Sequence, residues 1–369
     1  MRSYQPGKMG TAEGMAIVFL LTFPTTFLTT PAVLINEAGT LGWLSALIHG
    51  LVSVVSLAAI LIVCKHVPGN LFEICEQLLG KVLAWLIALY YAAAFFANYV
   101  LMLRQYAENT LLTALPSAEF SFIIVAYALV GAILVAFSLE GMARAGYIVM
   151  PFIGITLVIV FALLNPFYEV YRLAPWLSLG VGTAVFTGLK IAGINFGVAA
   201  VVILASSFQN NRTRWQIALF GVGLSAVLRA MVVFFYTLLF GVTVGREKML
   251  PFFEMVRLVY LGRYVQRLES LFIILWVING VLDISLSLYF GLYCLTYLGR
   301  LPTMRPLIPV VTLLLAQVAM IPKDVVSVMN DYVYVGKTYF NFGIYIVPFL
   351  LLAALVWKKR KKVKLWASG

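Results

Sequence analysis

Asn279, Asp283 and Ser287 recur four residues apart in an otherwise apolar run, with Ser285 beside them. On a helix that spacing lines an amide, a carboxyl and a hydroxyl along one face. An ionisable group inside a membrane helix is costly and is a functional candidate by default. The stripe has the donors to hold a sodium ion or a proton. The alternative is a carboxyl kept neutral, or paired, for packing alone. Phe23-Pro24-Thr25-Thr26 interrupts the long apolar stretch 11–35, and Pro31 follows. Proline removes a backbone donor and clashes with the carbonyl four residues back. In lipid the freed carbonyl needs a partner, so such a break persists only where it lines a cavity or is packed in protein. Gly193-Ile194-Asn195-Phe196-Gly197 interrupts the stretch 182–205 in the same way. Glycine withdraws side-chain packing, and asparagine competes for backbone hydrogen bonds. Each interruption has a plainer alternative: a kinked helix for the first, a close helix contact for the glycines of the second.

Other charges are fewer. Arg229 lies in mid-span with no charge on its own helix surface, and Asp283 is a candidate partner for it. Lys190 either meets an anionic ligand or snorkels to the interface. Arg104 and Glu108 are spaced as an interfacial ion pair. Glu13 opens the first apolar run, where a helix N-terminus favours an acid. Cys64, Cys75 and Cys294 have no metal-ligand spacing, and His49 and His66 belong to no catalytic motif. With no nucleophile–base pair and no metal cluster legible, neither an enzyme nor a bound cofactor or metal is expected.

The elements that carry these residues follow from composition. The chain is 63% hydrophobic and 11% charged, where soluble domains run near 45–50% and 25%. Long unbroken apolar runs fit helices rather than the alternating strands of a barrel. An all-α integral membrane protein is therefore expected. The first run is too long for a signal segment and lacks a small-residue cleavage site, so no cleaved leader is expected. Ten spans can be laid down: 11–35, 43–64, 82–103, 121–138, 146–164, 182–205, 217–242, 268–297, 307–321 and 340–357. One transmembrane domain, 1–357, is expected, followed by a basic tail, 358–369. The segment 70–79 reads as a short amphipathic helix before span three, and 252–259 as a helix lying across the opposite face. With the N-terminus inside, fifteen Lys and Arg fall inside and nine outside. Both termini are therefore expected in the cytoplasm. Arg212, Arg214, Arg300 and Arg305 carry the short-loop signal; Arg2 and Lys8 count inside, Lys323 outside. The net charge of +12 is spread along loops and tail, which suits anionic lipid headgroups rather than nucleic acid.

Ten spans divide into five plus five, with one repeat over 11–165 and a second over 182–321 completed by 340–357. An odd number of spans per half inverts the repeats in the membrane. Spans one and six then correspond, and both are interrupted. Paired interrupted helices at corresponding positions point to a midplane binding site of the transporter type. Its expected ligand contacts are Phe23, Pro24, Thr25, Thr26, Gly193, Asn195, Phe196 and Gly197. Free amides at the half-helix N-termini favour a carboxylate.

A resemblance then becomes specific. It rests on Pro31-Ala32 through Gly39-Thr40-Leu41-Gly42-Trp43-Leu44, on Asn70-Leu71-Phe72-Glu73 with Leu79-Gly80-Lys81, and on Val265-Gln266-Arg267-Leu268-Glu269-Ser270 with Trp276. The terminal span with its basic tail completes it. In order and spacing these resemble the B subunit of bacterial spore germinant receptors, the spore germination permease-like family of the amino acid–polyamine–organocation superfamily. The resemblance implies a leucine-transporter-like fold with broken spans one and six. It also implies residence in the inner membrane of a bacterial endospore and a small germinant, often an amino acid. The partners it implies are a receptor A subunit and a lipoprotein C subunit. One departure stands out: the glycine-rich unwinding usual in span one of superfamily transporters is replaced by Phe23-Pro24-Thr25-Thr26. Two functions are weighed. One is a ligand-sensing receptor subunit; the other is an ion- or proton-coupled secondary amino acid transporter with coupling near Asp283.

Overall fold

The computed structural model describes residues 9–208, 210–259, 268–322 and 324–367. Arg2, Lys8, Val265, Gln266, Arg267 and Lys323, named above, lie outside these residues, as do the last two of the tail. Among the described residues seven helices are long and apolar enough to cross a membrane. The bent pair Gly180–Ile191 and Phe196–Ile203 makes an eighth, and the shorter apolar helices Thr11–Phe27 and Leu307–Ala319 stand where spans one and nine were expected. The chain is an all-α integral membrane protein.

Local sequence explains where the elements start and stop. Asn70-Leu71-Phe72-Glu73 is a capping box: the Asn70 side chain accepts from the Glu73 amide at 2.9 Å, and the Glu73 carboxylate accepts from the Asn70 amide at 3.0 Å. Two otherwise orphaned donors at the start of the helix Leu71–Leu79 are thereby satisfied. Gly39, at φ +59°, turns the chain from the helix Thr30–Ala38 into the helix Gly42–His66. The loop after span seven carries the short helix Pro251–Arg257.

Span ten differs from expectation. Helix begins at Val325, fifteen residues before the apolar run at 340, and passes through π-helical turns at Gly336–Phe340 and Phe342–Ile346. Asn330, Asp331 and Lys337 hide this first part from a hydropathy reading. The wide turns are stitched by Tyr90 of span three. Its hydroxyl accepts from the Gly343 amide at 2.9 Å and donates toward the Phe340 carbonyl at 3.0 Å. Spans three and eight pack along their length, as do spans two and seven, and span one lies against spans five and six.

Candidate functional site

The first break is built in two steps. Phe23 keeps helical angles, and Pro24 occupies the first turn of the short helix Pro24–Phe27. The chain leaves helical geometry only at Leu28, with φ −91° and ψ −104°. Pro31 then sits in the first turn of Thr30–Ala38. Both prolines therefore stand where a helix tolerates them, because the amide they lack has no partner there anyway. The shift in pairing frees one acceptor. The Thr26 amide bonds to the Phe23 carbonyl at 2.8 Å, so the Thr22 carbonyl loses its usual helical donor.

Arg229 of span seven fills that vacancy. Its side chain is 2% exposed. Nη2 donates to the Thr22 carbonyl and, at 3.3 Å, to the Thr25 hydroxyl. Nε donates to the Thr26 hydroxyl at 3.0 Å, and Nη1 donates to His49 Nδ1 at 2.8 Å. Because the guanidinium has only donors, Nδ1 of His49 must be the unprotonated ring nitrogen. Asp283 is not a partner in this set, which corrects the pairing proposed from sequence. Gly50, one residue from His49, permits the approach of span seven: a Cβ there would lie 2.1 Å from Cβ of Ala226.

The second break opens over Ala192–Ile194 and Asn195, and the two halves of span six meet at 46°. The buried Asn195 side chain joins the breaks directly. Its Oδ1 accepts from the Thr22 hydroxyl at 2.7 Å, and its Nδ2 donates to the Ser53 hydroxyl at 3.0 Å. Ser53 in turn donates to the His49 carbonyl at 2.9 Å. Thr22, Asn195, Ser53, His49 and Arg229 thus form a closed polar ring across spans one, six, two and seven. Among buried groups, bonded networks of this kind are stiff, and a lone member left behind is costly.

The other expected ligand contacts are distributed around this ring. Phe23 stacks on Phe19 at 4.8 Å and meets Phe27 edge-on at 5.1 Å, so it belongs to an aromatic column inside span one. Phe196 packs between Phe95 at 5.4 Å and Phe340 at 4.7 Å. Gly197 is a close-contact glycine: a Cβ would lie 2.4 Å from the Thr22 hydroxyl and 2.7 Å from the Val18 carbonyl. Gly193 faces span ten, where a Cβ would meet the Gly336 carbonyl at 2.5 Å. Gly193, Asn195 and Phe196 also line a narrow cleft closed by Tyr90, Tyr91 and Phe340. A larger vestibule of about 680 Å³ opens at Thr29, beside the first break. Lys190, Arg246 and Lys337 line it with Glu37, and Lys337 is paired with Glu37.

The stripe on span eight joins a different network. Ser287 accepts from Asn98 of span three at 2.8 Å. Asn279 is buried with neither side-chain atom bonded, and Asp283 is buried with no hydrogen bond or ion pair among the described residues. Gln105 and Asn109 of span three also carry unbonded buried atoms. The three coupling candidates therefore sit in a polar seam between spans three and eight and share no hydrogen bond with the ring. Arg104 and Glu108 form the expected ion pair, with the guanidinium 4.1 Å from the Phe120 ring centre. Glu13 accepts from the Gly10 amide at 2.8 Å, a structural cap. His49 and Ser53 were missed from sequence. The usable signal was a second ionisable side chain, His49, inside an apolar span that also needed a partner for Arg229.

Comparison with known proteins bears on the family and the fold. A family model described as spore germination protein matches residues 8–328. Spore germination protein A2 of Bacillus subtilis (strain 168) is 23% identical over 366 residues, which cover 97% of this chain and 98% of that protein. MhsT, solved in complex with L-phenylalanine, superposes with a TM-score of 0.64 at 12% identity over 96% of this chain and 99% of its own. Mhp1, a nucleobase-cation-symport-1 family transporter, superposes with a TM-score of 0.61 at 10% identity over 98% of this chain and 96% of its own. At such identities the likeness is one of fold, and that fold is the leucine-transporter-like arrangement of ten spans with spans one and six interrupted. The chain belongs to the spore germination protein family.

Proposed function

We propose that this protein is the germinant-sensing subunit of a spore germinant receptor, binding a small nutrient, an amino acid by preference, between the interrupted halves of spans one and six. The observation that carries the reading is the Thr22–Asn195 hydrogen bond, which ties the two breaks together; a vestibule of ligand size opens further along span one, at Thr29. A ligand that passes from the vestibule to the break residues Phe23–Thr26 and Gly193–Gly197 would compete with that bond and shift the population between two arrangements. MhsT, of the same fold, was solved with L-phenylalanine, which supports an amino acid as the ligand class. In this reading the protein lies in the inner membrane of an endospore with both termini in the cytoplasm. It acts as one membrane domain, residues 1–357, and signals to a receptor A subunit and a lipoprotein C subunit. The second reading, a coupled amino acid transporter, is favoured by the transporters among the similar folds and by the buried Asp283, which has no partner among the described residues.

Two measurements test this. Purified full-length protein is screened by thermal shift against the amino acids and simple sugars; the expectation is a saturable rise with one or a few amino acids. Spores lacking the gene should then fail to respond to that same compound. Normal germination of such spores with every tested nutrient would refute the sensor. Gradient-driven uptake of the ligand into proteoliposomes would move the assignment to the transporter.

A further inference from the structure

The nest around the Arg229 guanidinium has the composition of a cation site. The Thr22 carbonyl and the Thr25 and Thr26 hydroxyls converge on it from a helix break, and all three are buried. A freed carbonyl with hydroxyls is the set of hard oxygen ligands that a desolvated sodium ion takes at an interrupted membrane helix. Here those oxygens are already engaged by a positive group on a covalent tether. Arginine stays charged at every physiological pH. A free cation cannot share the nest, because like charges a few ångströms apart in a poorly screened interior repel strongly.

We propose that Arg229 is a built-in cation: it permanently occupies an oxygen site in the break of span one that would otherwise bind sodium, and it makes the ligand response independent of sodium. The last clause rests on the sensor reading above; the site itself does not. A tethered cation can support the break electrostatically through every conformation, yet it cannot be released on the other side of the membrane. A gradient can therefore do no work through it. The span-eight stripe shares no hydrogen bond with the nest, and any coupling there is left to a proton rather than to sodium.

The test uses purified full-length protein and sodium itself, so it does not depend on knowing the germinant. Thermal unfolding is followed in sodium chloride and in N-methyl-D-glucamine chloride at equal ionic strength, alongside binding of radioactive sodium. Wild type should show no sodium-selective shift and no saturable binding. Arg229→Ala and Arg229→Met empty the nest of charge. Arg229→Ala should gain a saturable rise of a few degrees with sodium or with millimolar guanidinium ion, and Arg229→Met should gain less, because its side chain keeps the space filled. Arg229→Lys keeps a cation and should behave as wild type toward sodium. Saturable sodium binding by wild type, or by Arg229→Lys, overturns the proposal. So does a folded Arg229→Ala that responds to neither ion. Should the uncharged variants fail to accumulate, wild type and Arg229→Lys decide: silence toward sodium in both supports the built-in cation. A sodium-blind protein whose gene deletion leaves germination normal would retain the site and lose only the sensor.

Discussion

Thr22 is the residue on which both breaks depend, because its two oxygens serve different partners. The carbonyl takes the Arg229 guanidinium and the hydroxyl donates to Asn195. Thr22→Val keeps the shape and removes only the hydroxyl. It should leave Asn195 Oδ1 buried and unbonded and cost about 1–3 kcal/mol, measured as a fall in unfolding free energy. A double-mutant cycle with Asn195→Ala should return a coupling of about 1 kcal/mol, since the residues touch. Additive effects would mean that the bond contributes nothing. Gly197→Leu is expected to fail for a steric reason. Its side chain would start 2.4 Å from that hydroxyl, and overpacking costs about 1–3 kcal/mol. Lower protein levels together with a raised germinant requirement are expected; an unchanged dose response at a normal level would exclude this contact from the site. Asp283→Asn is the opposite case. With no partner among the described residues to lose, it should fold normally, and a coupling role would show as an altered pH dependence of the response.

At the scale of the element, the interruptions were legible and their partners were not. Pro24 with Pro31, and Gly193 with Asn195 and Gly197, cluster inside runs that are otherwise apolar, and the clustering announces the interruptions of spans one and six; a single proline does not, since Pro151 lies inside the helix Leu139–Leu163. What the sequence conceals is rotation. His49 and Ser53 come from span two, where Ser45, His49 and Ser53 recur four residues apart; the stripe marks a buried face but does not say which neighbour that face meets. The break in span one also lies further along than its proline suggests, at Leu28, because Pro24 starts a helix there rather than ending one. Span eight shows the same limit. The stripe Asn279, Asp283, Ser287 was correctly one face, yet that face meets Asn98 of span three rather than Arg229. The capping box before span three gives a separate prediction. Glu73→Ala and Asn70→Ala should each cost about 0.5–2 kcal/mol by loss of a helix-end bond, read by thermal unfolding, with no change in ligand selectivity.

Across the whole molecule, the ten-span fold was readable because apolar runs long enough to cross a bilayer leave a helix few alternatives. Ends were less legible: span three runs ten residues past its expected end to Thr113, and in span ten Asn330, Asp331 and Lys337 disguised the first turns. Orientation is a separate matter and has its own test. In a background without Cys64, Cys75 and Cys294, single cysteines at Arg172 and Arg305 should be reached by a membrane-impermeant maleimide from opposite sides. Labelling of Arg305→Cys from outside would reverse the assignment of the termini.

The closed shape of the ring has a consequence in time. An open chain of hydrogen bonds parts wherever one link breaks. In a closed ring, one broken link leaves its members still joined the other way round. Separation then requires two breaks to coincide before either heals. Each additional 1.4 kcal/mol or so of barrier lengthens the wait about tenfold. Spontaneous opening should therefore be rare and sharply accelerated by warming, while a ligand that replaces one link removes the need for coincidence. A resting state with these bonds would be quiet for long periods and yet quick to answer.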